Sequence, residues 1–287
     1  MQTSEVEQMR RLRDEYDVLF ASRMAAAGLT PTTRIGIAVS GGPDSTALCI
    51  LASRWIVQNG GPSSNLLGFL VDHGLRIESA SEALIVHSRI VSLGINCEVL
   101  KCYWPAGVPV HGHLQEAARN ARYELIQKAC KRNNVDVLLT AHHLDDQIEL
   151  FIIRFTRHSG LAGLAGMPFI SSMYRCIPEY SGDDVIHSLL LVRPLLDLSK
   201  NDLYKVCEIH DQLWVEDPTN KKPVFLRNVV RNILNKPDFY DDADVDDDAD
   251  VKNDADVDVK DDANVDDADV DVDVDDDADA DADDAGL

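Results

Sequence analysis

The run RIGIAVSGGPDSTALCILA, residues 34–52, narrows the fold of this chain more than any other segment. Its first seven residues, RIGIAVS, are apolar from Ile35 to Val39 and partly β-branched, which reads as a short strand buried on both faces. Residues 44–58 then have the length and composition of a helix. Between strand and helix stands Ser40-Gly41-Gly42-Pro43-Asp44-Ser45. Glycines there allow close backbone approach. The unpaired first-turn amides and the positive end of the helix dipole then favour an anion at the strand's carboxyl end. Ser40 and Ser45 add hydroxyl donors. The GK[ST] ending of a Walker loop is absent.

The same alternation continues along the chain. Residues 4–27 read as a helix, 66–72 (LLGFLVD) as a strand, 78–93 as a helix and 95–100 as a third strand. A long helix is expected over 113–133, after the breakers Pro105, Gly107 and Pro109. Residues 135–141 (VDVLLTA) read as a fourth strand and 144–155 as a helix. Short strands at 173–177 and 186–192 suggest a hairpin, and 199–210 a last helix with Ser199 as N-cap. Near-continuous apolar strands alternating with helices predict an α/β fold, a doubly wound parallel sheet. The expected division is an N-terminal helix (1–31), the sheet domain (32–195), a short helical segment (196–240) and a tail (241–287).

Charge separates the tail from the body. The 287 residues carry a net charge of −23, yet residues 241–287 hold 24 Asp against 2 Lys, or −22. The other 240 residues are near neutral. The tail is almost entirely Asp, Ala and Val, with no aromatic residue. Such a segment buries too little apolar surface to offset chain entropy, so disorder is expected. Its single glycine argues against a calcium-binding β-roll.

Several classes drop out. No run of about 18 apolar residues exists, so no membrane span is expected. The first twenty residues carry three Glu and lack the basic start and apolar core of a signal peptide, and no transit peptide is visible. The six Cys form no CxxC pair and no Cys/His pair has zinc spacing, which suits reduced, mostly buried thiols.

Further motifs follow the glycine turn in order: Val71-Asp72-His73-Gly74-Leu75-Arg76, Glu116-Ala117-Ala118-Arg119-Asn120-Ala121-Arg122-Tyr123, and Thr140-Ala141-His142-His143-Leu144-Asp145-Asp146-Gln147-Ile148-Glu149. Then come Arg193-Pro194-Leu195-Leu196, Trp214-Val215-Glu216-Asp217-Pro218-Thr219-Asn220 and Arg227-Asn228-Val229-Val230-Arg231. SGGPDS resembles the PP-loop of the N-type ATP pyrophosphatases. The ordered series, over about residues 32–233, resembles the tRNA(Ile)-lysidine synthetase family. The resemblance implies a soluble ligase using ATP and Mg²⁺. It would adenylate C2 of the wobble cytidine of a CAU-anticodon tRNA(Ile) and join free L-lysine there. It implies a bacterial cytoplasm, or a plastid or other organelle matrix in a eukaryote. The resemblance is compatible with a homodimer.

The residue types suit that chemistry. Ser40, Gly41, Gly42, Pro43, Asp44, Ser45, Asp72 and His73 are expected around the nucleotide. Asp44, acidic in an anion cradle, needs a cation, and is assigned to Mg²⁺. Asp146 and Glu149, at i and i+3, share a helix face and can hold a lysine ammonium or take its proton. They equally suit a helix start that complements the dipole. Arg119 is assigned to catalysis at the α-phosphate, and Arg122 and His142 to substrate. Glu116 and Arg119 also suit a plain intrahelical pair. Arg227 and Arg231, at i and i+4, offer a basic face to RNA phosphates, or are ordinary surface arginines.

The sequence departs from the family pattern after the fourth strand. The family usually reads RGSGLRGL there; this chain has His158 in place of a glycine and Ala162 in place of a basic residue. Leu150 replaces a usual Thr. Family members normally continue past RN-x-x-R into further helical and tRNA-binding parts, where this chain turns acidic. Two other readings stand beside the ligase. One is a thiolating PP-loop enzyme, which typically needs a reactive Cys pair. The other is a truncated ATP-binding PP-loop protein without tRNA-modifying activity.

Overall fold

The computed structural model describes residues 2–76, 78–104, 107, 114–161, 163–173 and 188–215. The expectations for Pro105, Pro109, His113, Ala162, 174–177, 186–187, 216–233 (Arg227 and Arg231 included) and the acidic tail lie outside them.

Six strands form one sheet: β1 (Ile35–Val39), β2 (Leu66–Asp72), β3 (Asn96–Lys101), β4 (Val137–Leu139), β5 (Ile170–Met173) and β6 (Leu189–Val192). Their order is β3-β2-β1-β4-β6-β5. All neighbours are parallel except β5, which pairs antiparallel with β6 through Met173 opposite Leu189. The expected hairpin is thus present, with its first strand three residues earlier than its apolar pattern suggested. The helices are α1 (Gln2–Ala26), α2 (Pro43–Gln58), α3 (Ser79–Ser92), α4 (Leu114–Arg132), α5 (Leu144–Thr156) and α6 (Lys200–Ile209).

Side-chain alternation along β1 sorts the two faces. Ile35, Ile37 and Val39 enter one core with Phe20 and Met24 of α1, Leu48 and Trp55 of α2, Val86 and Ile90 of α3, and Leu203 of α6. Ala38 turns to the opposite core, where Ile126 and Ala129 of α4 meet Phe69, Leu138 and Leu191. Gly36 is small for a reason. A Cβ there would stand 2.9 Å from the Phe69 ring and 3.2 Å from Leu138.

The winding fixes the site. From β1 the chain steps outward through α2 and α3 to β3, then returns through α4 on the other face to β4, beside β1. The strand order therefore reverses between β1 and β4. A crevice opens at such a switch point, at the carboxyl ends of the strands.

α1 and α6 are tied to this body by polar contacts. Tyr16 Oη donates to Asp202 Oδ1 at 2.9 Å, and Arg54 Nε to Asp17 Oδ1 at 2.8 Å. Ser199 caps α6: its Oγ accepts from Asp202 N at 3.2 Å, and Asp202 Oδ2 accepts from Ser199 N at 3.0 Å.

Candidate active site

The glycine turn lies at the carboxyl end of β1. Gly41 has φ +85°, and a Cβ there would stand 2.5 Å from Val86 Cγ2. Only glycine fits such a position. Ser45 organises the loop from within. Its Oγ accepts from Ser40 N at 3.2 Å and Gly41 N at 3.1 Å, and lies 3.1 Å from Ser40 Oγ. Two amides expected to face an anion thus face Ser45. The remaining donors are the hydroxyls and the first-turn amides of α2, whose N-cap is Gly42 and whose first residue, Pro43, has no N–H.

Asp44 does not stand alone. Lys200 Nζ, at the start of α6, lies 2.5 Å from Asp44 Oδ1. His143 Nε2 lies 3.8 Å from Asp44 Oδ2 and 3.5 Å from Asp146 Oδ2. Asp145 Oδ2 accepts from Lys200 N at 2.8 Å, and Leu144 N donates to Leu198 O at 2.9 Å. The first turns of α2, α5 and α6 therefore converge on one cluster of three carboxylates, one amine and one imidazole.

His143 is 4% exposed. His142 points elsewhere, with Nδ1 3.1 Å from Thr140 Oγ1. Of the two adjacent histidines it is His143 that reaches Asp44. Asp146 accepts from His143 N at 3.1 Å, so this carboxylate partly caps its own helix. Glu149 is 1% exposed, on the same side one turn on.

Asp72 and His73 stand at the end of β2, across the crevice. Asp72 is buried; its Oδ1 accepts from Gly74 N at 3.0 Å. The His73 carbonyl accepts from Trp104 Nε1 at 2.8 Å, and His73 Nδ1 lies 3.4 Å from Cys102 Sγ. Burial, helped by the nearby Arg122 guanidinium, holds the His73 imidazole below its ordinary pKa, so it is neutral at pH 7. Arg122 thus faces the Asp72 side of the crevice. Arg119, on the same helix, lies over the Tyr123 ring, 4.9 Å from its centroid.

Sequence reasoning missed Lys200, Asp145 and the choice of His143. Lys200 was visible only as the residue after an N-cap serine. Nothing local announced its partner, 156 residues away.

The donor set fits magnesium in a limited way. Among the described residues no group of three His, Cys, Asp or Glu is arranged to hold a metal. One carboxylate beside an anion cradle suits a cation that arrives on a triphosphate, since Mg²⁺ typically takes one or two carboxylates plus phosphate oxygens. Thiolate chemistry finds no candidate among the five described cysteines. Burial pushes all five thiols up, Cys97, Cys130 and Cys207 to about 12.

A PP-loop domain model matches residues 11–237. The chain belongs to the PP-loop family. Among curated relatives it is 41% identical over 199 residues to the tRNA(Ile)-lysidine synthase of Bradyrhizobium sp. strain BTAi1, covering 69% of this chain and 51% of that one. The synthase of Wolbachia pipientis wMel is 35% identical over 224 residues, covering 78% and 48%. The Rhodopseudomonas palustris synthase is 39% identical over 217 residues, covering 75% and 56%. The chain thus spans about half the length of these relatives. Among solved structures, the U34-tRNA thiolase NcsA of Methanococcus maripaludis superposes with a TM-score of 0.59 at 15% identity, covering 78% of this chain and 72% of that one. That likeness concerns the fold alone.

Proposed function

We propose that this PP-loop protein is an ATP-dependent tRNA-modifying ligase that joins lysine to C2 of the wobble cytidine of a CAU-anticodon tRNA(Ile). The observation that carries the reading is the convergence of Asp44, His143, Asp146 and Lys200 beside the PP-loop at the switch point. The relatives' name supplies the substrate class.

In this reading the PP-loop serines and first-turn amides of α2 bind the triphosphate. Asp72 and His73 flank the nucleoside, and Asp44 would hold Mg²⁺, which would neutralise charge on the leaving pyrophosphate. The cytidine O2 attacks the α-phosphorus and pyrophosphate departs; Arg119 steadies the α-phosphate. Asp146 and Glu149 then hold free lysine, and a carboxylate takes the ammonium proton so the neutral amine can attack C2. AMP leaves. Arg122, His142, Arg227 and Arg231 grip the RNA. Lys200 neutralises Asp44 before the nucleotide arrives. In the same reading the chain divides at 31, 195 and 240, and the protein works in solution in a bacterial cytoplasm or an organelle matrix.

Pyrophosphate release separates this reading from a PP-loop protein that only binds ATP. With ATP and Mg²⁺, release is expected only when the CAU tRNA is added. Tight ATP binding with no tRNA-dependent release favours the simple binder.

A further inference from the structure

His73, at the carboxyl end of β2, is held from the end of β3 by both its backbone and its ring. Cys102 N donates to Asp72 O at 2.9 Å, which carries the pairing of β2 with β3 one residue past the strand. Trp104 Nε1 donates to the His73 carbonyl at 2.8 Å. On the other side of the residue, Gly74 has φ +63° and its N–H donates to Asp72 Oδ1 at 3.0 Å. The turn is thus fixed before and after His73. The ring has a partner of its own, with Nδ1 3.4 Å from Cys102 Sγ. Its Nε2 makes no hydrogen bond among the described residues.

The chemistry of the two groups sets the direction of the Nδ1–Sγ contact. Sulfur is a weak acceptor, so an imidazole N–H gains little from it, whereas a bare imidazole nitrogen accepts well. The thiol keeps its proton. Burial raises its pKa, the Asp72 carboxylate raises it further, and Arg122 only partly offsets them. The ring keeps a lone pair, because burial and Arg122 hold His73 neutral at pH 7 against the pull of Asp72.

We propose that Cys102 is a positioning residue of the nucleotide site: its S–H donates to His73 Nδ1, so the ring proton sits on Nε2 and the ring meets the nucleotide as a hydrogen-bond donor. The bond made by one ring nitrogen fixes which nitrogen carries the proton. Cys102 acts only through that proton; it stays a thiol and forms no bond to substrate. A donor at Nε2 fits a lone pair on the nucleoside, on a base nitrogen or a ribose oxygen. The donor role rests on the placement of His73 beside the nucleoside proposed above; the position of the ring proton does not.

Two measurements on the full chain test it: NMR of ring-¹³C-labelled histidine, whose carbon shifts separate the two tautomers, and ATP binding by calorimetry. His73→Gln identifies the His73 signals. Wild type should carry the proton on Nε2. Cys102→Ala should give a mixture of tautomers and an ATP Kd about 2- to 10-fold higher, the worth of one hydrogen bond. Cys102→Ser, whose hydroxyl can donate from the same place, should restore both. A wild-type ring with its proton on Nδ1 overturns the proposal, and that spectrum needs no variant. Cys102→Ser behaving as Cys102→Ala overturns it too, since the sulfur then acts by packing. A lost tautomer with unchanged ATP affinity overturns the donor role. Wild type that binds no ATP while its proton sits on Nε2 overturns the nucleotide reading of the site and supports the assignment of Cys102.

Discussion

Lys200 Nζ and Asp44 Oδ1 stand 2.5 Å apart, joining the first turn of α6 to the first turn of α2. The aspartate lies in a loop built to receive phosphate, where an unpaired carboxylate would repel the ligand. The lysine cancels that charge while the nucleotide is absent. Replacing Lys200 with Met leaves Asp44 uncompensated. ATP binding should weaken, and tRNA-dependent pyrophosphate release should fall by roughly 10- to 100-fold, the scale seen when one preorganised charge contact is removed. Asp44→Asn should lose more turnover than Lys200→Met. Steady-state rates of the two variants check the order; equal rates in Lys200→Met and wild type would remove Lys200 from the site.

His143 links the PP-loop to α5. Its ring lies within 4 Å of Asp44, Asp145 and Asp146. His143→Ala should lower turnover by roughly 100-fold, the low end of what a positioned acid–base group contributes. His142→Ala, with its ring on Thr140, should lower it far less. Side-by-side turnover of the two alanine variants decides; a greater loss at His142 would contradict the geometry.

Gly41→Ala must place a methyl group at φ +85° and 2.5 Å from Val86. The expected cost is about 1–3 kcal/mol, with loss of ATP binding because the loop must move. Urea unfolding and nucleotide titration of the variant measure both. An unchanged urea midpoint would show that the loop relaxes freely.

His158 occupies a left-handed position, φ +56°, where the family pattern has glycine. The backbone demands what the sequence withholds. His158→Gly should therefore stabilise the protein by about 0.5–1 kcal/mol, from relief of the left-handed strain on a residue with a Cβ. Thermal unfolding reads this as a rise of about 1–4 °C. A fall in Tm would contradict it.

Among the described residues, two histidines with lowered pKa values act on stability between pH 7 and 5. Burial lowers the pKa of His73 and of His210 below 6.5, so the unfolded chain binds protons first. Their stabilisation is complete above about pH 6.5 and is lost as pH falls towards their folded values. Asp17 and Asp202 behave as lowered carboxylates: burial alone would raise them, but hydrogen bonds from Arg54 and from Ser199 outweigh it. Their stabilisation is present above about pH 3.8 and is lost as pH falls from there towards their lower folded values, below the histidine window. Urea midpoints should fall from pH 7 to pH 5, and less steeply in His73→Gln. A flat profile in wild type would contradict the burial of both rings.

The sheet was legible because its strands are apolar runs bounded by turn residues, so β2 has the limits its pattern predicts, 66–72. β4 is shorter than its apolar run. Only Val137–Leu139 pair in the ladder, while Val135 packs under Gly36 as a core residue. Apolarity reports burial, and hydrogen-bond pairing depends on neighbours that are remote in sequence. The PP-loop was legible for the same local reason. The Lys200 contact was not, because it joins two helix starts through tertiary packing alone. His142 and His143 are chemically alike and adjacent. Their roles separate only when the strand end fixes which ring turns towards Asp44.

The central claim is that this cluster joins lysine to RNA. Radiolabelled lysine, ATP, Mg²⁺ and a CAU-anticodon tRNA(Ile) should be incubated with the full chain, with residues 1–240 and with Asp44→Asn, and label in the tRNA counted. The account predicts label with wild type or the 1–240 form and little with Asp44→Asn. No label from either wild-type form, in preparations that bind ATP, would contradict it.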